Sequence, residues 1–94
     1  MLIIAGHLIV DAADRDRYVA DCLPVVQAAR VAGGCLDFSL TADSLDPARI
    51  NIYEQWESDA ELAAFRGSGP DTDTASRILS AEVHKYRISA TEPP

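Results

Sequence analysis

Basic residues are scarce in this chain of 94: 8 Lys and Arg stand against 15 Asp and Glu, a net charge of −7. A surface so poor in cations has no footprint for nucleic acid or for an anionic membrane, and neither is expected as a partner. The acidic residues are scattered, as on a solvated surface that aids solubility. Histidine and cysteine are equally sparse, with only His7, His84, Cys22 and Cys35. None of the four falls in a metal-ligand spacing, so no zinc or iron site is expected. The chain also lacks a Gly-rich phosphate loop, a dinucleotide fingerprint and any Ser/His/Asp or Cys/His arrangement. No resident cofactor is therefore expected. Neither a basic leader nor a long apolar run is visible, so the expectation is a cytoplasmic protein without a membrane span. In that compartment Cys22 and Cys35 read as small core hydrophobes, although spacing alone leaves a disulfide between them open.

What remains is ordinary globular composition, 48% apolar and 24% charged, in one domain over residues 1–94. Leu2 to Val10 is apolar on both alternating sets: Leu2, Ile4, Leu8 and Val10 on one, Ile3, Ala5 and Ile9 on the other. Such a strand is covered on both faces. Asp14 to about Ala32 carries helical spacing through Tyr18, Cys22, Val25 and Ala29, widened by Val19 and Val26. Pro24 should kink this helix, and Gly33-Gly34 should close it with a left-handed cap. Cys35 to Thr41 alternates with Leu36, Phe38 and Leu40 inward. Asp43, Ser44 and Asp46-Pro47 supply turn chemistry, so the next strand should return antiparallel.

That next strand, Arg49 to Trp56, runs straight into a helix over Asp59–Arg66. Ser58-Asp-Ala-Glu61 fits a capping box at the helix start. The only tryptophan thus lies at a strand end beside a helix start, where a pocket can open between sheet and helices. Its apolar ring and single N–H donor suit either a wall that grips a flat ligand or plain core. Gly67 to Asp73 is rich in breakers and reads as a loop, Thr74 to about Ala81 as a short helix, and Glu82 to Ser89 as the last strand.

The order β-α-β-β-α-β predicts an α+β, ferredoxin-like fold: a four-stranded antiparallel sheet with helices on one face. Helices then cover only one face of a first strand that is apolar on both. We expect a homodimer packed through the open sheet face.

In this plan and in several of its motifs, the chain resembles the antibiotic biosynthesis monooxygenase family of small dimeric α/β barrel proteins. The resemblance rests on Gly33-Gly-Cys-Leu-Asp-Phe-Ser-Leu40, on the hairpin from Asp43 to Pro47, and on Tyr53-Glu-Gln-Trp-Glu-Ser58 followed by Ala60-Glu-Leu-Ala-Ala64. It implies oxygenation of a small, electron-rich aromatic such as a hydroquinone or anthrone, with dioxygen as partner and without flavin or metal. Family members often carry a histidine on the helix nine residues after the tryptophan; here that position is Phe65. The following loop, Ser68-Gly-Pro-Asp71, also lacks the usual histidine, which argues against haem degradation. Where haem-degrading members place an asparagine near the end of the first strand, the resemblance points to His7.

The resemblance sets His7 on the pocket side with Trp56, and an imidazole there suits proton removal from a phenol near neutral pH. His7 and Trp56 are therefore the expected catalytic pair, and Phe65, Phe38 and Tyr18 the expected substrate-binding wall. Glu54 shares the Trp56 face by alternation, as a paired buried carboxylate or a dimer contact, whereas Asn51 and Tyr53 fall on the opposite face. His84 reads as a surface residue. Two other readings stay open: a non-catalytic dimeric binding module using the same cavity, and an interaction domain with a closed core.

Overall fold

The computed structural model describes residues 1–67 and 75–94. The elements are β1 (Leu2–Val10), α1 (Arg15–Asp21), α2 (Leu23–Arg30), β2 (Cys35–Ala42), β3 (Arg49–Trp56), α3 (Asp59–Arg66) and β4 (Ile78–Arg87). The strands form one antiparallel sheet in the order β2-β3-β1-β4. This is the expected ferredoxin-like arrangement. No helix among the described residues is long and apolar enough to cross a membrane.

The helix-facing side of the sheet holds two core clusters. Leu2, Ile4, Ala29, Phe38, Trp56 and Leu62 form one, at the start of β1 and under α3. Leu8, Val10, Tyr18, Cys22 and Ile50 form the other, at the end of β1 and under α1. The helix-facing residue of β1 between them is Gly6, paired with Ile52 and Val83. The other side of β1 shows Ile3, Ala5, His7 and Ile9, each half-buried.

Several local expectations shift for physical reasons. Pro24 does more than kink the first helix: the chain breaks at Cys22, and Pro24 sits in the first turn of α2, where a missing N–H costs nothing. The break rotates the apolar stripe, so Val26 packs on the core while Val25 is 47% exposed. The helix ends on Val31 in a right-handed conformation, and the left-handed residue is Gly34, which turns the chain into β2. In β2 the register slips between Cys35 and Asp37 opposite Trp56 and Gln55, and this bulge turns Leu36 out to solvent. Cys22 is buried, Cys35 is half-buried at the start of β2, and no disulfide joins them.

The largest correction concerns the last strand. Ala75 and Ser76 are helical, but from Ile78 the chain is already in β4, not in a helix reaching Ala81. A short helix there would leave the outer edge of β1 unpaired, and strand pairing from Val10↔Ile78 to Leu2↔Arg87 satisfies those backbone groups instead. The expected loop from Ser68 to Asp73 and the expected helix start at Thr74 lie outside the described residues.

Candidate functional site

Trp56 is the last residue of β3, paired with Leu2 on one side and Cys35 on the other, and its side chain is fully buried. The chain then passes Ser58, whose oxygen accepts the Glu61 N–H at 3.4 Å and starts α3. This half of the capping box fixes the direction in which α3 returns over the sheet. Phe65 is thereby brought onto the indole, with ring centres 5.2 Å apart, and onto Phe38 at 6.0 Å in an edge-on contact. Three of the expected site residues, Trp56, Phe65 and Phe38, therefore meet at one end of the sheet under α3.

Glu54 completes this group. It lies two residues before Trp56 on the same face, paired with Ile4 and Phe38, and is 8% exposed. The indole Nε1 donates to its Oε1 at 3.0 Å. Its Oε2 faces the Arg66 guanidinium at 4.0 Å. Burial pushes the Glu54 carboxyl above its ordinary value, while the indole bond and the Arg66 charge pull against that rise. Of the two roles left open for Glu54, the paired buried carboxylate is the one observed. The Glu54-x-Trp56 spacing on a strand was enough to place the two side by side; the arrival of Arg66 depended on the tertiary course of α3.

Between α3 and β4 lies a groove of about 440 Å³ lined by Asp59, Leu62, Ala63, Arg66 and Lys85. Two of its residues touch the buried group: Leu62 packs in the Trp56 cluster and Arg66 faces Glu54. Asp59, at the start of α3, accepts from Lys85 at 3.0 Å and from Arg87 at 2.9 Å. These two cations on β4 hold the Asp59 carboxyl down to about 2.

Tyr18 and His7 sit elsewhere. Tyr18 is buried in the second cluster, beneath the Arg77 guanidinium at 4.9 Å, and burial pushes its phenol up to about 12. Arg77 in turn holds Asp14 and Asp21 through bonds of 2.8 and 2.9 Å, tying α1 to the start of β4. Tyr18 thus belongs to a structural clamp remote from Trp56. His7 pairs with Asn51 and Glu82 and points to the uncovered face of the sheet. It does not share the Trp56 face within this chain; the helix-facing position next to it is Gly6. His84, paired with Ala5, also lies on the uncovered face, 3.9 Å from Glu82. Both imidazoles are thus across the sheet from the aromatic group.

The family's sequence profile, described as antibiotic biosynthesis monooxygenase, matches residues 1–76. Among solved structures, a Deinococcus radiodurans protein provisionally named as such a monooxygenase is 19% identical, with a TM-score of 0.79 over 100% of this chain and 98% of that one. A Chloroflexus aurantiacus J-10-fl protein with the same provisional name is 23% identical, with a TM-score of 0.74 over 98% of this chain and 96% of the other. At such identities these likenesses speak for fold. No functionally curated protein matches the chain. With the matched profile running from β1 through α3 and past the aromatic group, the chain belongs to the antibiotic biosynthesis monooxygenase family.

Proposed function

We propose that this protein is a cofactor-independent monooxygenase that uses dioxygen to oxidise an electron-rich aromatic of the hydroquinone or anthrone type. The observation that supports it, within this family, is the convergence of Trp56, Phe65 and Phe38 under α3. Such a wall grips a flat ring by stacking and by exclusion of water. For an anthrone the balance is one ring methylene plus dioxygen giving a carbonyl plus water. The substrate itself supplies the electrons, and the protein contributes orientation, a dry environment and proton removal. Because Trp56 has no exposed surface, entry of a ring requires α3 to lift from the sheet at Phe65.

The test is oxygen uptake by the metal-free protein on 1,4-dihydroxynaphthalene and anthrone, with Trp56→Phe alongside. Uptake above the autoxidation blank, reduced about tenfold or more in the variant, is the expected result. No uptake on either compound would remove the oxygenase reading. A second reading, a non-catalytic binding module, draws on the location of both histidines across the sheet from Trp56. It predicts quenching of Trp56 fluorescence by the same compounds without oxygen consumption.

The uncovered sheet face fits a homodimer. Ile3, Ala5 and Ile9 lie along its centre, flanked by Tyr53 and by Tyr86, which is 53% exposed. In this arrangement His7 is a contact of the dimer and not the base. Sedimentation should find a dimer at micromolar concentration, and Ala5→Arg, which sets a charge at the middle of the face, should give monomers. A monomeric native protein would refute the arrangement.

A further inference from the structure

We propose that Glu54 is the group that takes the proton from the bound aromatic, with Arg66 stabilising the oxyanion left behind. The inference rests on the monooxygenase reading and adds the acid–base residue to it. Its basis is the asymmetry of the Glu54 carboxyl. Oε1 is occupied by the Trp56 indole N–H at 3.0 Å, which fixes the orientation of the whole group. Oε2 is 4.0 Å from Arg66, too far for a hydrogen bond, and so retains capacity to accept a proton from an incoming hydroxyl. Arg66 is 56% exposed on its side chain and lines the groove along α3, so a shift of this long side chain, together with the lifting of α3 that admits the ring, connects the groove to Oε2.

The other acid–base groups on this side of the sheet are held by partners or stand away from the groove. Asp59 is held by Lys85 and Arg87, and its carboxyl, down at about 2, is a weak base. The Tyr18 phenol lies in the other cluster and is pushed up to about 12. Glu61 sets its carboxyl against Gly34, with Oε2 buried and without a hydrogen-bond partner among the described residues, and it does not line the groove. The Cys35 thiol is pushed up by burial and directed to the Asp37 carbonyl. Both histidines are on the opposite face.

The step balances without a further reactant. The ring O–H bond breaks with its electron pair staying on the ring oxygen, and the proton forms a new O–H bond on Oε2 of Glu54. The negative charge facing Arg66 moves from the carboxylate to the ring oxygen, so the guanidinium faces one anion before and after. The electron-rich oxyanion then reduces dioxygen, the oxidant of the overall reaction. Burial raises the Glu54 carboxyl from its ordinary value of 4.5, which makes its carboxylate a better proton acceptor.

Trp56 is the only tryptophan, so one indole N–H resonance reports the ionisation of Glu54 directly. The experiment follows that resonance against pH in the native protein and compares its midpoint with the pH profile of kcat/KM for oxygen uptake on 1,4-dihydroxynaphthalene. It is repeated on Glu54→Gln, whose amide oxygen still accepts from Trp56. Coincident midpoints above 4.5, with kcat in Glu54→Gln lower by about a hundredfold or more and fluorescence quenching by the ligand retained, support the assignment. Native uptake that persists within about twofold in the variant, or whose pH midpoint differs from that of the indole, overturns Glu54 and leaves the oxygenase standing. Absence of native uptake removes both. Should Glu54→Gln fail to fold, the two native midpoints decide.

Discussion

Gly6→Ala should lower stability by about 3–5 kcal/mol, the sum of backbone strain and overpacking. Gly6 has φ +153°, a conformation that residues with a side chain rarely adopt. A Cβ there would overlap the Glu82 carbonyl oxygen and lie 2.7 Å from the Cα of Val83. Both obstacles are backbone atoms of β4, which cannot rotate aside as a side chain would. Relief would require β4 to part from β1 at the middle of its ladder, where Gly6 pairs with Val83. A loss of this size is a large share of the roughly 5–15 kcal/mol that stabilises a typical domain. Urea unfolding with Gly33→Ala as control provides the measurement. A Cβ at Gly33 meets nothing within 4 Å, so the control should stay within about 0.5 kcal/mol of the native protein. Equal midpoints for the two variants would show that β4 yields more easily than this packing implies.

The same glycine explains where the sequence was legible and where it was not. Composition and periodicity carried the sheet, the bounds of α3 and the neighbourhood of Trp56, because each depends on residues close in the chain. Glu54 and Trp56 share a face through the two-residue repeat of a strand, and Phe65 reaches the indole because Ser58 sets the direction of α3. Assigning His7 to that face relied on a family position, whereas alternation with Leu2, Ile4, Leu8 and Val10 puts Gly6 there. A glycine offers no apolar signal, so this helix-facing position passed unnoticed. The remaining differences arise where one residue of slip changes a face. The β2 bulge exposes Leu36, a second bulge against β1 exposes Leu79, and the break before α2 exchanges Val25 for Val26. The two bulges are decided by pairing partners distant in the chain, which a local repeat does not contain, whereas the break before α2 follows Pro24 in its first turn.

Trp56→Phe should lower stability by about 1–3 kcal/mol, and the loss should grow with pH. Phenylalanine retains an aromatic ring against Phe65 but deletes the N–H that donates to Glu54 at 3.0 Å. The sign of the pH effect follows from proton binding. Burial raises Glu54 in the folded protein above its ordinary value of 4.5, so over that interval the folded state holds more protons than the unfolded chain. Native stability therefore declines as pH rises from about 4.5 to the folded value, then levels off. The indole bond lowers the folded value. Without it the carboxyl rises further, and the decline is steeper in total and extends to higher pH. At pH 4 the carboxyl is largely protonated in both states and the variant should differ least from the native protein. Asp43 and Asp59, held at about 2 by their hydrogen bonds, act in the opposite sense, with stability lost as pH falls from 3.8 toward 2. The difference between variant and native urea midpoints at pH 4, 6 and 8 isolates Glu54, because the contribution of those two carboxylates is common to both proteins and cancels. Glu54→Gln supplies the reference, since an amide has no such titration and its variant should lose the decline altogether. A Trp56→Phe deficit of the same size at all three pH values would mean that the indole anchors Glu54 by shape alone.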